Sequence, residues 1–349
     1  MAYVGGTAPP GLAYVGGGEV HRQFGRAKLS KTQPASSAQF VLCISCMTQP
    51  RMILRGATSM VTRRTLRRHH LFHPDPAIVQ LYLYTLGVCA KEFGVQLHAL
   101  VLMSTHEHLV LTDTNERLPD FLRRLHRLVA LGTKVLRKWE GAVWDHERPS
   151  VVRLLTERAV IEKMAYVLAN PVKAGLVQRA AHWPGVTVLP QELGRRTWKV
   201  ERPDFYFDAD NPSWPDEVEL KLTLPPTLRG LYTDAQIRDA VALELIHQER
   251  LAQAEVKKRG WRVLGVERIR RVSPYRRAKS FEPIRGRNPT FAVGRGQRKA
   301  FFAAVAELRA FRRAYRDALE LWRAGLHQTV FPAGTGAMRC MHAAPVDTG

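Results

Sequence analysis

Two histidines separated by one residue are the part of this sequence best suited to chemistry. His106 and His108 flank Glu107 at the start of a short apolar run. Side chains alternate between the two faces of a β-strand, so both imidazoles point to one side, roughly 6–7 Å apart along the strand. Such a pair can bind one divalent ion, and Mg²⁺ or Mn²⁺ is expected where phosphate oxygens complete the shell. The alternative is two surface histidines on a half-exposed strand.

The pattern around these histidines predicts the elements that must position them. Alternating and apolar runs predict strands, and an apolar residue every three or four positions predicts helices. The predicted strands are 59–65, 95–103 and 107–112, and the predicted helices are 77–93, 118–138, 156–169, 233–259 and 299–324. The third helix is expected to stop at Asn170-Pro171, and residues 195–226 to be irregular. This order predicts an α+β fold with helices on one face of an antiparallel sheet.

The charge of the chain is strongly one-sided. There are 53 Lys and Arg residues against 31 Asp and Glu, a formal net charge of +22. This balance fits a polyanionic partner, because each phosphate contact releases a condensed counterion. A GC-rich genome that favours arginine explains part of the excess, but explains less well why the acids do not keep pace. Nucleic acid is therefore the favoured partner.

The basic residues concentrate in two segments that we expect to contact DNA. The candidate contacts are Arg63, Arg64, Arg67 and Arg68 in the first segment and Arg270, Arg271, Arg276 and Arg277 in the second. The second segment, residues 263–298, also carries Tyr275, Phe281 and Phe291. Arginines interleaved with aromatic residues suit a single strand, whose phosphates are neutralised and whose bases stack. The alternatives are an ordinary exposed face and a solvated linker.

The cysteine content and the distribution of apolar residues indicate the cellular location of the protein. Four cysteines in 349 residues do not make a disulfide framework, so a cytoplasmic location is expected. The lone Cys43-Ile-Ser-Cys46 lacks the second pair that a zinc site needs. No run of eighteen apolar residues occurs, so no membrane partner is expected.

Three regions are predicted along the chain. Residues 1–46, interrupted by Gly, Pro and Ser, are expected to be disordered, or to be an upstream extension if Met47 is the true start. Residues 47–190 form the domain that carries the histidines. Residues 191–349 are an appended, basic and mostly helical region.

Three segments of residues 47–190 resemble the REP-associated tyrosine transposases, a branch of the single-tyrosine HUH transposases. Residues 96–113, QLHALVLMSTHEHLVLTD, resemble the family's core hairpin, in which the HUH pair opens the second strand. Residues 166–177, YVLANPVKAGLV, resemble its Tyr-x-x-x-Asn-Pro-Val-x-Ala-Gly-Leu-Val signature. Residues 121–125, FLRRL, followed by 141–144, GAVW, are similar to its helix and Gly-x-Leu-Trp end, and residues 60–64, MVTRR, fit its first strand.

The resemblance implies a ferredoxin-like domain that cuts and joins single-stranded or hairpin repeat DNA. A tyrosine would form a 5′-phosphotyrosine link while a metal at the HUH histidines polarises the scissile phosphate. A phenol is a poor nucleophile at neutral pH, and a nearby cation both lowers its pKa and stabilises charge on the phosphate. Family members often act as dimers, so a homodimer is one expected arrangement.

The nucleophile is missing where the family leads us to expect it, shortly after Trp144. No tyrosine occurs between Tyr84 and Tyr166. Tyr166 is the remaining catalytic candidate, although a tyrosine on a helix is more often a core residue. Ser150 is a poor substitute without a base, and His146 and Glu147 are interpreted as solvated turn residues rather than metal ligands.

A second departure is Glu107, at a position where the family usually has a bulky apolar residue. Its side chain should point to the face that the helices cover, where a buried carboxylate needs a partner. Alternatively, it lies near an edge and is solvated.

Two other functions stay open beside the transposase. One is a catalytically inactive DNA-binding derivative of the same family. The other is an RNA-binding module of ferredoxin-like architecture, which predicts stacking aromatics on the sheet face where this sequence has histidines.

Overall fold

The structure is a computed structural model and describes residues 50–279 and 289–348. The predicted N-terminal extension, the Cys43–Cys46 pair and Phe281 lie outside the described residues. In chain order the elements are β1 (Ala57–Arg64), α1 (Pro76–Phe93), β2 (Val95–Met103), β3 (His106–Asp113), α2 (Leu118–Arg137), β4 (Ser150–Leu154), α3 (Glu157–Lys173), β5 (Thr197–Glu201), β6 (Glu217–Lys221), α4 (Pro226–Arg229), α5 (Asp234–Lys258), α6 (Val266–Arg271), β7 (Phe291–Ala292), α7 (Arg298–Arg323) and α8 (Gly336–His342).

A five-stranded sheet with the order β2-β3-β1-β4-β7 forms the centre of the molecule. Strand β3 is antiparallel to β1 and β2, β1 is antiparallel to β4, and the two-residue β7 adds in parallel to β4. The first six elements form a βαββαβ unit with the ferredoxin-like strand order. The predicted α+β class is confirmed. Strand β4 was not predicted, because its five residues follow a polar turn and have no alternating pattern of their own.

Helices lie on both faces of this sheet. Helices α1 and α2 cover the face to which Glu107 points, as its contacts with Tyr82 and His126 show. Helix α3 lies on the opposite face, where its Tyr166 meets His108. The prediction of helices on one face is correct for α1 and α2 and wrong for α3. The apolar sequence of β2 is consistent with a strand covered on both faces, since eight of its nine residues are buried.

Helix α3 continues through Asn170 and Pro171, where the sequence predicted its end. The side-chain amide of Asn170 donates to the carbonyl of Tyr166 at 2.9 Å and supports the helix at this point. Gly175, at φ +65°, follows the last turn and provides the left-handed residue that ends many helices.

Residues on both sides of the predicted boundary at residue 190 share one hydrophobic core, which extends from Met60 to Ile269. Helix α5 packs on α3. The region predicted to be irregular contains the β5–β6 hairpin, which packs on α1. A Cβ at Gly87 of α1 would lie 3.0 Å from a methyl group of Val218 of β6, tighter than an ordinary van der Waals contact, so the helix and the hairpin approach closely here. The boundary therefore does not separate two cores.

Helix α7 contributes little to this core. It buries Ala304, Phe311 and Ala318 at seven-residue spacing, and its last turns pack with Phe331 and Met338 in a second, small cluster. Among the described helices, none combines the length and hydrophobicity needed to span a bilayer.

Candidate active site

Strand β3 presents His106 and His108 on one face, as the alternation predicted. Their ring centroids lie 4.8 Å apart, with the ring planes at 86°. The pairing of Arg64 with His106 and of Thr62 with His108 fixes this orientation, because β1 holds β3 in register along its whole length.

A threonine hydroxyl contacts one nitrogen of each imidazole. Thr105 Oγ1 lies 2.9 Å from His106 Nδ1, and Thr62 Oγ1 lies 2.7 Å from His108 Nδ1. The other nitrogen of His108, Nε2, is buried and forms no hydrogen bond of good geometry within the described residues, although the Asn170 side chain is near enough to raise its pKa. A buried imidazole nitrogen without a partner, held by a hydrogen bond at its other nitrogen, is the arrangement of a metal ligand.

The charge state of His108 also suits a metal ligand. Burial lowers the pKa of His108 well below its ordinary value, and the charges of His106, Arg64 and Lys173 act in the same direction, against the side chain of Asn170. His108 is therefore neutral near pH 7, and neutral imidazole is the form that binds metal.

Two imidazoles are the groups that this face of the described structure could offer to a metal ion. Within the described ranges, no group of three or more His, Cys, Asp and Glu side chains is arranged to hold a metal ion. His146 and Glu147 are exposed, in agreement with their interpretation as turn residues. The two histidines thus fit a divalent ion whose other ligands are phosphate oxygens and water.

Helix α3 brings Tyr166 against this histidine pair. The Tyr166 and His108 rings meet edge to face, with centroids 5.9 Å apart and planes at 89°. Lys173 Nζ lies 3.9 Å and Lys163 Nζ 5.2 Å from the centre of the tyrosine ring. Positions 163, 166, 170 and 173 share one helical face, so Tyr166 and Asn170 of the signature and Lys173 lie together beside the histidines.

Ser150 lies farther from the histidines. It pairs with Thr62, which in turn pairs with His108, so the three residues form one row across β4, β1 and β3. Two strand spacings separate Ser150 from His108, roughly 9–10 Å. Tyr166 and Ser150 are the two candidate nucleophiles, and of these Tyr166 is the one that contacts the histidine pair.

Glu107 is fully buried on the opposite face of β3. It accepts a hydrogen bond from the Tyr82 hydroxyl at 2.8 Å and a second from His126 Nε2. Burial lowers the pKa of His126, against the opposing effect of Glu107, so the ring donates as a neutral imidazole. Trp144 Nε1 donates a hydrogen bond to the backbone carbonyl of His126 at 2.7 Å. The solvated-edge alternative for Glu107 is wrong, because two helices provide its partners.

Tyr82 and His126 were not predicted from the sequence as partners of Glu107. The available signal was a polar group on an otherwise apolar helical face directed at the sheet. Arg63 belongs to the same network rather than to an open surface: its guanidinium lies 5.1 Å from the centre of the Trp144 ring, and Glu107 is the charge that opposes the effect of burial on its pKa.

The two predicted arginine segments are far apart in sequence but adjacent in the structure. The His70 N–H donates to the carbonyl of Arg276 at 2.9 Å, and the Ala278 N–H donates to that of Arg68 at 3.0 Å. Arg64 lies beside His106 on β1 and Arg67 on the following turn, while Arg270 and Arg271 end α6. The two segments that carry the predicted DNA contacts therefore meet, and of the eight arginines only Arg63 is turned toward the Glu107 network.

No family model matches the chain, and no curated protein matches it. Among solved structures, the chain is similar to a REP-associated tyrosine transposase bound to a REP hairpin, at 17% identity over 48% of this chain and 96% of that one, with a TM-score of 0.36. It is also similar to a protein from Deinococcus radiodurans designated a transposase, at 22% identity over 35% and 95% of the two chains, with a TM-score of 0.26.

Proposed function

We propose that this protein binds single-stranded or hairpin DNA and cuts and joins it through a phosphotyrosine intermediate. The observation that carries the proposal is the convergence of His106, His108 and Tyr166 on one face of the sheet. The sequence resemblance over residues 47–190 supports it, because the HUH pair and the tyrosine signature are the two segments that meet.

In the proposed reaction the Tyr166 hydroxyl oxygen attacks the phosphorus of a DNA phosphodiester. A bond forms between that oxygen and phosphorus, and the bond from phosphorus to the 3′-oxygen breaks. The phenol gives up its proton and the leaving 3′-oxygen gains one. The 5′ end stays linked to the protein, so a later attack by a 3′-hydroxyl rejoins DNA without ATP.

The residues around Tyr166 have separate parts in this proposal. A Mg²⁺ or Mn²⁺ ion held by His106 and His108 would polarise the scissile phosphate. Lys163 and Lys173, both close to the tyrosine ring, would offset the negative charge of phosphate and phenolate. A homodimer and a cytoplasmic location stay predictions.

A second candidate function is DNA binding by a derivative that has lost strand transfer. Two lysines pack against the Tyr166 ring, and the described residues offer no third protein ligand for a metal. Both observations are also compatible with a tyrosine that serves only in packing. RNA binding through the sheet is less favoured, because this face carries two histidines and a helix where stacking aromatics would be needed.

The test is a reaction of the full chain with labelled hairpin DNA and Mn²⁺, analysed on a denaturing gel. A REP-type hairpin is the first substrate, since the similar transposase was bound to one. We expect a protein–DNA adduct that is lost with EDTA, in His106→Ala and in Tyr166→Phe. Tyr232→Phe, at an exposed tyrosine outside the site, is the matched control and should keep the adduct.

Two outcomes would contradict the proposal. Tight binding with no adduct for several hairpin sequences would establish the binding-only derivative. An adduct that persists in Tyr166→Phe would show that another residue is the nucleophile.

A further inference from the structure

A basic surface is built where the segment after α6 pairs with the turn after β1. We define this arginine surface as Arg67, Arg68, His70, Tyr275, Arg276 and Arg277. The two backbone hydrogen bonds between residues 68–70 and 276–278, together with the antiparallel bridge of His69 and Arg277, make it a short paired structure. The side chains of this surface therefore come from two segments whose backbones are hydrogen-bonded to each other.

Further contacts anchor the second segment to the domain. Ile269 is buried in the core, and His73 Nε2 lies 3.1 Å from the carbonyl of Arg270. The Tyr275 hydroxyl donates to the carbonyl of Arg137, at the last residue of α2, at 2.7 Å. The second segment of the arginine surface is thus anchored to the domain both before and within the surface.

The arginine surface adjoins the histidine face. The Thr65 N–H donates to the carbonyl of Thr105 at 2.8 Å, and the Phe72 N–H donates to that of Ser104 at 3.1 Å. Residues 104 and 105 form the turn that directly precedes His106. The loop that carries Arg67 and Arg68 is therefore hydrogen-bonded at both ends to the turn that leads into the site.

Three of the arginines on this surface have no carboxylate beside them among the described residues. Within the described part of the chain, no carboxylate forms an ion pair with Arg67, Arg276 or Arg277, all of which are exposed. Burial lowers the pKa of His70 to about 4, and His73, Arg68, Arg276 and His69 lower it further. Such an accumulation of positive charge fits an external polyanion.

An aromatic pair lies within the same surface. The rings of Tyr275 and Trp139 are stacked, with centroids 6.4 Å apart and planes at 25°, and Tyr275 is 53% exposed. An exposed ring beside arginines can stack an unpaired base, whereas the bases of a duplex are not accessible to it.

The backbone of the turn is unusual for arginine. Arg67 and Arg68 have φ values of 49° and 57°, in the left-handed region that favours glycine. Two consecutive non-glycine residues in this region cost conformational energy. Arg67, the first of the two, is exposed in this conformation.

We propose that the arginine surface binds the single-stranded DNA that flanks the reacting phosphodiester, with Arg67, Arg276 and Arg277 on phosphates and Tyr275 under a base. This inference rests on the proposed function, because that function places the bound strand next to the reacting phosphodiester. Binding of a single strand by the arginine surface does not itself require cleavage. It assigns a role to residues 273–278, which lie outside the segments that resemble the transposase family.

The test is fluorescence anisotropy with a labelled 12-nucleotide single strand, a duplex and an RNA of the same sequence. The full chain is used with His106→Ala, so that no covalent step contributes. We expect Arg276→Gln with Arg277→Gln to reduce the slope of log affinity against log salt by about 1.4. Tyr275→Ala should weaken single-strand binding about 5-fold or more, and Tyr275→Phe should restore it.

Matched controls separate local from general effects. Arg309→Gln with Arg313→Gln removes the same charge from exposed positions of α7, and Tyr232→Ala removes an exposed tyrosine elsewhere. Both should leave the affinity unchanged. Arg67→Gly guards against misfolding, because glycine suits φ 49°: we expect a melting temperature equal to or above wild type and weaker DNA binding.

The inference is overturned if the α7 pair weakens binding as much as the Arg276 and Arg277 pair, if Tyr275→Ala has no effect, or if duplex or RNA binds more tightly than the single strand. Failure of the adduct assay with these binding results intact would reject the proposed function alone. An adduct formed by a protein whose binding ignores the arginine surface would reject this inference alone.

Discussion

Tyr166 of α3 and His108 of β3 meet edge to face with their ring centroids 5.9 Å apart. This contact joins the tyrosine of one sequence signature to the histidine of another. It places a hydroxyl-bearing ring beside the pair of imidazoles that suits a divalent ion, on the face opposite α1 and α2.

The first prediction concerns Thr62, whose hydroxyl lies 2.7 Å from His108 Nδ1. Thr62→Val keeps the shape of the side chain and removes the group that orients the imidazole. We expect the affinity for Mn²⁺ to fall about 10- to 100-fold, the usual effect of losing such a partner. Isothermal titration calorimetry of the full chain measures it.

Thr58→Val is the control for this measurement. Thr58 lies on the same strand and makes a buried hydrogen bond with Thr112 at 2.8 Å, away from the histidines. Its replacement should leave Mn²⁺ affinity unchanged. Equal affinities for wild type and Thr62→Val would mean that Thr62 does not orient His108.

The second prediction concerns the buried carboxylate of Glu107. Glu107→Leu leaves the Tyr82 hydroxyl and His126 Nε2 buried without their acceptor, so we expect the free energy of unfolding to fall by about 3–5 kcal/mol. Adding Tyr82→Phe removes one of these stranded groups and should recover about 1–3 kcal/mol. Urea denaturation of the two single variants and the double variant gives the coupling.

Tyr84→Phe provides the comparison for that cycle. Tyr84 lies on the same helix but donates to the carbonyl of Pro215 at 2.7 Å. Its effect should add to that of Glu107→Leu without coupling. Additive effects for Tyr82 as well would disprove the buried network as an energetic unit.

The third prediction is a pH dependence of stability at Glu162. Burial raises the pKa of Glu162, but hydrogen bonds from Arg295 and Arg158 outweigh it and lower the pKa. A carboxyl whose pKa is lower in the folded state stabilises the protein above its unfolded pKa, and this stability is lost as the pH falls through the folded pKa. Between about pH 5 and pH 3, the melting temperature of wild type should therefore fall more steeply than that of Glu162→Gln. Parallel curves for the two proteins would contradict it.

The fourth prediction uses His70 as a reporter of DNA. In the free protein its pKa is about 4, lowered by burial and then by His73, Arg68, Arg276 and His69. Phosphates bound beside it would offset the positive charge of Arg68 and Arg276 and raise the pKa of His70, so DNA binding should strengthen as the pH falls through the bound-state pKa. An NMR titration of the imidazole signals, assigned with His70→Gln, measures both values. An unchanged pKa in saturating DNA would contradict binding at this place.

Much of the fold could be predicted because the signals are local. Strand β2 has the predicted bounds, and α1, α2, α5 and α7 match within about one residue, since their apolar periodicity and caps lie within a few residues of each other. The HxH spacing likewise fixed that His106 and His108 share a face. Net charge and two arginine segments indicate a nucleic-acid partner, because charge can be counted along the chain whatever its fold.

Other features depend on residues that are distant in sequence. Glu107 obtains its partners from two different helices, and Val218 of the β5–β6 hairpin packs closely on Gly87 of α1. Helix α3 passes the expected stop at Pro171 because tertiary packing and the Asn170 side chain stabilise its last turn. None of these contacts leaves a repeating pattern in the chain.

The sequence by itself determined which groups were available: two imidazoles on one face, one tyrosine in the signature helix and two sets of arginines. Only the tertiary structure decided that Tyr166 lies against His108 and that Arg276 and Arg277 adjoin Arg68. The physical reason is that side-chain periodicity is set by the geometry of each strand or helix, whereas the distance between elements is set by how the whole apolar core packs.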